Sequence, residues 1–137
     1  MNNTLSAHDV QLYLKEIFPQ FNASILDISD KGAVVELPTD EQHLRPGGTV
    51  SGPTMMGLAD AAMYVAILGK LGKVALAVTT NLNINFYRKP QAGKLRAEAR
   101  VLKMGQRLAV GDVLLFCDDM EESVAHVSIT YSIPPQK

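Results

Sequence analysis

The feature that most constrains this chain is a change of period. From about Pro53 to Leu68 apolar residues recur almost all round a helix, and directly afterwards the sequence switches to strict alternation. In the segment 78–88 the even positions supply Val78, Leu82, Ile84 and Phe86, while the odd ones supply Thr79, Asn81, Asn83, Asn85 and Tyr87. One face of such a strand packs and the other stays polar. Segment 94–101 sets Leu95, Ala97, Ala99 and Val101 against Lys94, Arg96, Glu98 and Arg100, and segments 108–117 and 124–133 complete the series. Their separators, Lys103-Met104-Gly105-Gln106 and the acidic run 118–122, are short, so four consecutive strands are predicted to form an antiparallel meander.

Upstream, Ser6 is placed to cap a helix over about 6–18, with Asp9 three residues on and a stripe of Val10, Leu14, Ile17 and Phe18 that Pro19 ends. Two β-rich segments, 24–28 and 33–37, flank Asp30-Lys31-Gly32 and predict a hairpin. A loop over 38–52 leads to the long helix, which Gly69 or Gly72 closes. The 137 residues, 47% of them hydrophobic, fit one domain over 1–137. The expected class is α+β, with one curved antiparallel sheet of five to six strands wrapped around a single helix. That arrangement leaves the Asn81, Asn83 and Asn85 side without a second layer, so dimerisation is expected.

Charge narrows the partners. Thirteen basic residues against fourteen acidic ones create no global field for nucleic acid or an anionic membrane. Cys117, the single cysteine, cannot form an intrachain disulfide, and Asp9 and Lys15 stand where a signal peptide needs an apolar core. The uncharged run 61–69 is far short of the roughly 20 residues that cross a bilayer. A cytoplasmic protein is expected.

Within this apolar helix Asp60 is the only charged residue between Met55 and Gly69. Burying an unpaired carboxylate costs several kcal/mol or shifts its proton affinity, so such a group has partners or a task. Two roles are open: a structural acceptor for Asn or Thr side chains of the following strand, or a catalytic acid–base group. Pro53 suits the first helical turn and makes Gly52 the expected cap, with backbone N–H groups open to a developing oxyanion. Asp60 lies seven residues beyond Pro53, about two turns, so the helix mouth and the carboxylate are expected on one side.

The string Gly48-Thr49-Val50-Ser51-Gly52-Pro53, then Leu58-Ala59-Asp60-Ala61-Ala62, then Asn85-Phe86-Tyr87-Arg88-Lys89-Pro90 resembles the hotdog-fold acyl-CoA thioesterases, in particular the phenylacetate-degradation (PaaI-type) branch. The resemblance runs over about residues 30–133 and implies the hotdog fold. It also implies that Asp60 acts as general base or nucleophile on a thioester, that the Gly52 N–H polarises its carbonyl, and that the two meet across a homodimer interface, in a dimer or a dimer of dimers. The chain departs from the family pattern at three points: Ser51 replaces the usual histidine, Pro53 the second glycine, and Arg45 an asparagine that orients water or carbonyl. Ser51 retains one hydrogen bond to offer, and Pro53 leaves the Gly52 N–H untouched. Substrate contacts are expected from Ser51, Arg45, Asn81 and Asn83.

Seven of the thirteen Lys and Arg residues lie between Arg88 and Arg107, with Glu98 the one acid among them. Arg88 and Arg107 are the expected phosphate contacts for coenzyme A; Lys94, Arg96 and Arg100 read as a solvated strand face. Met55, Met56 and Met63 could line an acyl pocket or fill core. No cofactor is expected beyond coenzyme A as part of the substrate.

Other chemistries fit less well. Gly69-Lys70-Leu71-Gly72-Lys73 follows a helix and lacks the hydroxyl and spacing of a phosphate loop. His8, His43 and His126 are widely separated, so no metal is expected, and Ser51 lacks the G-x-S-x-G context of a nucleophile. A hydratase of the same fold would need a histidine near Asp60. The rival of a different class is a non-catalytic acyl-CoA-binding module.

Overall fold

A computed structural model describes residues 5–118 and 120–135. Helix α1 (Ala7–Ile17) starts as expected: the Ser6 side chain accepts from the Asp9 N–H, and the Asp9 carboxylate returns the bond to the Ser6 N–H. Its Val10 and Leu14 are buried. Strands β1 (Ser24–Ile28) and β2 (Gly32–Pro38) form the expected hairpin. The loop that follows is more ordered than its prolines and glycines imply. It holds a 3-10 turn (Glu41–His43) and a small hairpin, β3 (Leu44–Arg45) with β4 (Thr49–Val50).

Helix α2 spans Gly52–Leu71, so of the two expected stops, Gly69 and Gly72, the structure selects the second. Gly69 belongs to packing instead: an added Cβ there would lie 2.6 Å from the Ile28 Cγ2. The true cap is Gly72, at φ 92, and its N–H bonds to the Leu68 carbonyl. With twenty residues and an 18-residue stretch of mean hydropathy 1.3, the helix meets the length and composition of a membrane span. The helix nevertheless buries Leu58, Ala59, Ala62, Met63, Val65, Ala66, Ile67 and Leu68, and it packs chiefly against β2 and two later strands, β6 (Lys94–Met104) and β7 (Leu108–Cys117).

With β5 (Val78–Phe86) and β8 (Ala125–Ser132), the main sheet has six antiparallel strands in the order β1-β2-β6-β7-β8-β5. This is the hotdog arrangement, one sheet wrapped around one long helix. The four-strand meander is corrected: β6, β7 and β8 are neighbours, but β5 pairs with β8 at the far edge. The segment 87–93 explains the crossing. Its seven residues can reach about 23 Å, enough to pass the roughly 14 Å occupied by two intervening strands, whereas a tight hairpin needs only a short turn.

The phase of β5 is corrected too. A bulge between Thr79 and Asn81 inserts Thr80, so Thr79 turns inward while Val78 is 56% exposed. Beyond the bulge the expected alternation holds, with Leu82 and Ile84 against the core and Asn81, Asn83 and Asn85 exposed.

Candidate active site

Asp60 sits half-buried on α2, facing the edge pair β5–β8. The Tyr131 hydroxyl on β8 donates to Asp60 Oδ1 (2.7 Å) and to the Asp60 backbone carbonyl (3.0 Å), and the Thr79 hydroxyl donates a short bond to the same Oδ1. Both side-chain bonds land on one oxygen; among the described residues neither reaches Oδ2. Burial, and then the charge of Asp60, push the Tyr131 hydroxyl far above its ordinary value, so it remains a proton donor. The Tyr64 ring stacks on Tyr131 at 6.2 Å between centroids, and its hydroxyl donates to the Ala75 carbonyl (2.8 Å). Burial raises the Tyr64 hydroxyl as well.

Two clefts meet at the carboxylate. One, of about 380 Å³, lies between α2 and the turn after α1 and is lined by Phe18, Phe21, Leu37, Thr54, Gly57 and Tyr64 among others. The second, of about 440 Å³, runs past Leu76, Val78 and Thr79. Tyr131, Tyr64 and Phe18 border both.

The mouth of α2 differs from the expectation in one respect. Ser51, not Gly52, is the cap: its Oγ accepts from the Thr54 N–H (3.3 Å) and pairs with the Thr54 hydroxyl (2.9 Å), and its own N–H donates to the His43 carbonyl. A serine supplies the acceptor that glycine lacks, which decides the register by one residue. Gly52 becomes the first helical residue, and its N–H is among those a helix cannot satisfy internally. Its α-carbon faces the Phe86 ring; an added Cβ would sit 3.2 Å from Cζ.

Gly52 and Asp60 do not share a cleft. Eight residues place them about 12 Å apart along the axis and about 80° apart around it, unlike the seven-residue offset of Pro53. Gly52 opens into a third cleft of about 490 Å³, lined by Arg45, Met55, Phe86, Tyr87, Arg88 and Lys89. Arg45 and Arg88 therefore accompany Gly52; Arg88 also pairs with Glu122 (3.2 Å). Arg107 does not join them. It lies in the β6–β7 turn, where its carbonyl accepts from the Ile133 N–H, whereas Arg88 bonds through its N–H to Val124 at the other end of β8, about 30 Å away. Asn81 and Asn83 point away from Asp60, for the reason the bulge gives.

Sequence reasoning placed Asp60 and anticipated a threonine donor from the following strand, which Thr79 supplies, but it missed Tyr131. Tyr131 was invisible because it lies 71 residues on and joins through sheet order. His43 was considered only for metal binding, yet it lines the Asp60 cleft, with Nδ1 accepting the Asp40 N–H (2.9 Å). Among the described residues no group of three or more His, Cys, Asp or Glu side chains is placed to hold a metal. The basic strand face resolves into ion pairs, Arg96 with Glu98 (2.9 Å) and Arg100 with Asp112 (3.0 Å).

Known proteins match this architecture. A solved "putative thioesterase" from Silicibacter sp. TM1040 is 48% identical, covers 96% of this chain and 93% of its own, and superposes with a TM-score of 0.88. A Pseudomonas aeruginosa protein named "putative esterase" is 32% identical over 102 residues, 74% of this chain and 75% of the relative. The fold recurs in a Streptococcus mutans protein solved with acetyl CoA bound, at 19% identity, 85% and 92% coverage and a TM-score of 0.74. It recurs as well in a phenylacetic acid degradation-related protein of Ralstonia eutropha, at 23% identity, 86% and 89% coverage and 0.76. Residues 47–124, which carry the helix mouth, Asp60 and the inner strands, match the model of the thioesterase superfamily, and the chain belongs to that family.

Proposed function

We propose that the protein is an acyl-CoA thioesterase, hydrolysing the thioester of an acyl- or aryl-acyl-CoA to the free acid and coenzyme A. The observation that carries this reading is the state of Asp60: a half-buried carboxylate fixed through Oδ1 by two hydroxyl donors and bordering two clefts. In this reading the Asp60 carboxylate takes a proton from the attacking water, or itself attacks the carbonyl carbon to give a mixed anhydride that water then hydrolyses to the free acid. The tetrahedral oxyanion is held by the Gly52 N–H at the positive end of α2. The thiolate of coenzyme A leaves, and no further cofactor is needed.

The two halves lie in separate clefts of one chain, which favours a site completed by a second copy. Strand β5 ends the sheet, and its outer edge carries backbone groups available for pairing. Antiparallel pairing of β5 with β5 across a twofold axis reverses the ends, setting Asp60 of one protomer beside the Gly52 mouth of its partner. The same operation moves the Arg107 end of one protomer toward the partner's Arg45, Arg88 and Lys89, a group suited to the phosphates of coenzyme A. Ser51 acts here by setting the direction of the helix mouth; Asn81 and Asn83 serve the assembly more than the substrate. The support for coenzyme A is this basic cleft together with the Streptococcus mutans neighbour. The working unit is a homodimer, or a dimer of dimers, acting in the cytoplasm.

The test is release of free thiol from a panel of acyl-CoAs by wild type and Asp60→Asn. Turnover by wild type and a loss of about 10²-fold or more in the variant are expected. Binding without turnover would instead identify a non-catalytic acyl-CoA-binding module.

A further inference from the structure

Gly57 occupies the sixth position of α2, an interior place where glycine is a poor helix former. Neither usual structural reason for it applies. Its backbone is not in the left-handed region, and a Cβ added to it would meet nothing within 4 Å. Gly69 on the same helix shows the contrast, since its missing side chain makes room for Ile28. Gly57 instead lines the 380 Å³ cleft, three residues before Asp60 and so about one turn from the carboxylate on the same side. The facing walls are Phe18, Phe21, Leu37 and the Tyr64–Tyr131 stack, apolar surfaces that a thioester's acyl group can cover.

We propose that Gly57 is the specificity-determining position for the acyl group: its bare backbone widens the cleft beside Asp60, so that branched or ring-bearing acyl chains are accepted. The inference rests on the thioesterase reading, since it names the part of the substrate that fills this cleft. A methyl at position 57 meets nothing within 4 Å, and a longer side chain extends from there into the cleft and narrows it. Bulky acyl groups then lose more than small ones, because one carbon's difference in a pocket already changes selectivity measurably.

The experiment compares wild type, Gly57→Ala and Gly57→Leu on acetyl-CoA, hexanoyl-CoA and phenylacetyl-CoA. Binding of the corresponding non-hydrolysable thioether analogues, thermal unfolding and oligomeric mass are measured in parallel. Gly57→Ala is expected to raise the unfolding midpoint by about 2–4 °C, because alanine favours the helix and fits the open space. Gly57→Leu is expected to lower the ratio of kcat/KM for phenylacetyl-CoA to that for acetyl-CoA by about tenfold or more, with thioether affinities following the same order. An unchanged ratio, or a change of oligomeric mass that accounts for the loss, overturns the proposal. If wild type hydrolyses none of the three, the thioesterase reading fails separately and the thioether series decides this one: size-graded loss in Gly57→Leu supports it, and uniform or absent binding overturns it.

Discussion

Two aspartates of this molecule, Asp60 and Asp112, are each held by side chains from neighbouring strands, and the donors differ in kind. Asp112 lies on the face of β7 away from α2, directly across from Arg100. It receives the guanidinium through both oxygens (3.1 and 3.0 Å) and contacts His126 Nε2 at 3.2 Å. Burial raises its proton affinity, but the hydrogen bonds and charges of Arg100 and His126 outweigh that and hold the carboxyl below the usual carboxylate range. Among the described residues, the side chains that bond the Asp60 carboxylate are neutral hydroxyls, both on Oδ1. A carboxylate clamped by a cation is stabilised in its charged form and has little left to offer a substrate; one positioned by hydroxyls keeps an oxygen free. Asp112 is built as a cross-strand fastening, whereas Asp60 has the positioned, cation-free geometry that the proposed base requires.

The largest expected effect tests that division directly. Asp60→Asn should lower kcat for acyl-CoA hydrolysis by about 10²-fold or more, while Asp112→Asn should stay within about threefold of wild type. Thiol release from the same substrate measures both, with circular dichroism to verify folding. Equal losses in the two variants would abolish the distinction.

Removing the donor and leaving the acid sharpens it. Tyr131 is 3% exposed, and Tyr131→Phe deletes the hydroxyl that reaches both Oδ1 and the Asp60 carbonyl without changing the ring. A loss of about tenfold in kcat is expected with a stability change near 1 kcal/mol, the net worth of such a bond. Because burial and Asp60 keep that hydroxyl protonated, the wild-type rate profile should show no tyrosine ionisation near pH 10. An alkaline limb present in wild type and absent in Tyr131→Phe would give Tyr131 a different role.

The contrast also marks how far the sequence could be read. Periodicity suffices for elements whose faces differ in polarity: α1 with its capping box, the β1–β2 hairpin, and the alternation of β6 all appear where the pattern puts them. The lone charge in an apolar helix identifies Asp60 for the same reason, since burial makes it costly. What alternation cannot carry is neighbour order. The sequence Phe86 to Lys94 does not reveal that β5 crosses to β8, and that crossing alone brings Tyr131 to Asp60. Nor does a period-two pattern announce the Thr80 bulge, which turns Thr79 inward and Asn81 and Asn83 outward. At the helix mouth the deciding contact is one hydrogen bond, Thr54 N–H to Ser51 Oγ, and a reading weighted toward proline and glycine misses it by a residue.

The smallest effect concerns Asp112 and acid. A carboxyl whose folded value lies below its unfolded value of about 3.9 adds stability that is fully present above the unfolded value. That stability disappears as pH falls through the folded value, when the native state also takes up the proton. The unfolding midpoint of wild type should therefore exceed that of Asp112→Asn near neutral pH, and the margin should shrink as pH falls below the unfolded value and through the folded one. Arg100 is 63% exposed, so solvent screening keeps the contribution of the pair small. Arg100→Met should shrink the same margin, because it removes the cation that holds the carboxyl down. A margin that does not shrink at all as pH falls below about 3.9 would mean that packing by Asp112, rather than its charge, fastens β6 to β7, and the two aspartates would then differ in location but not in electrostatic kind.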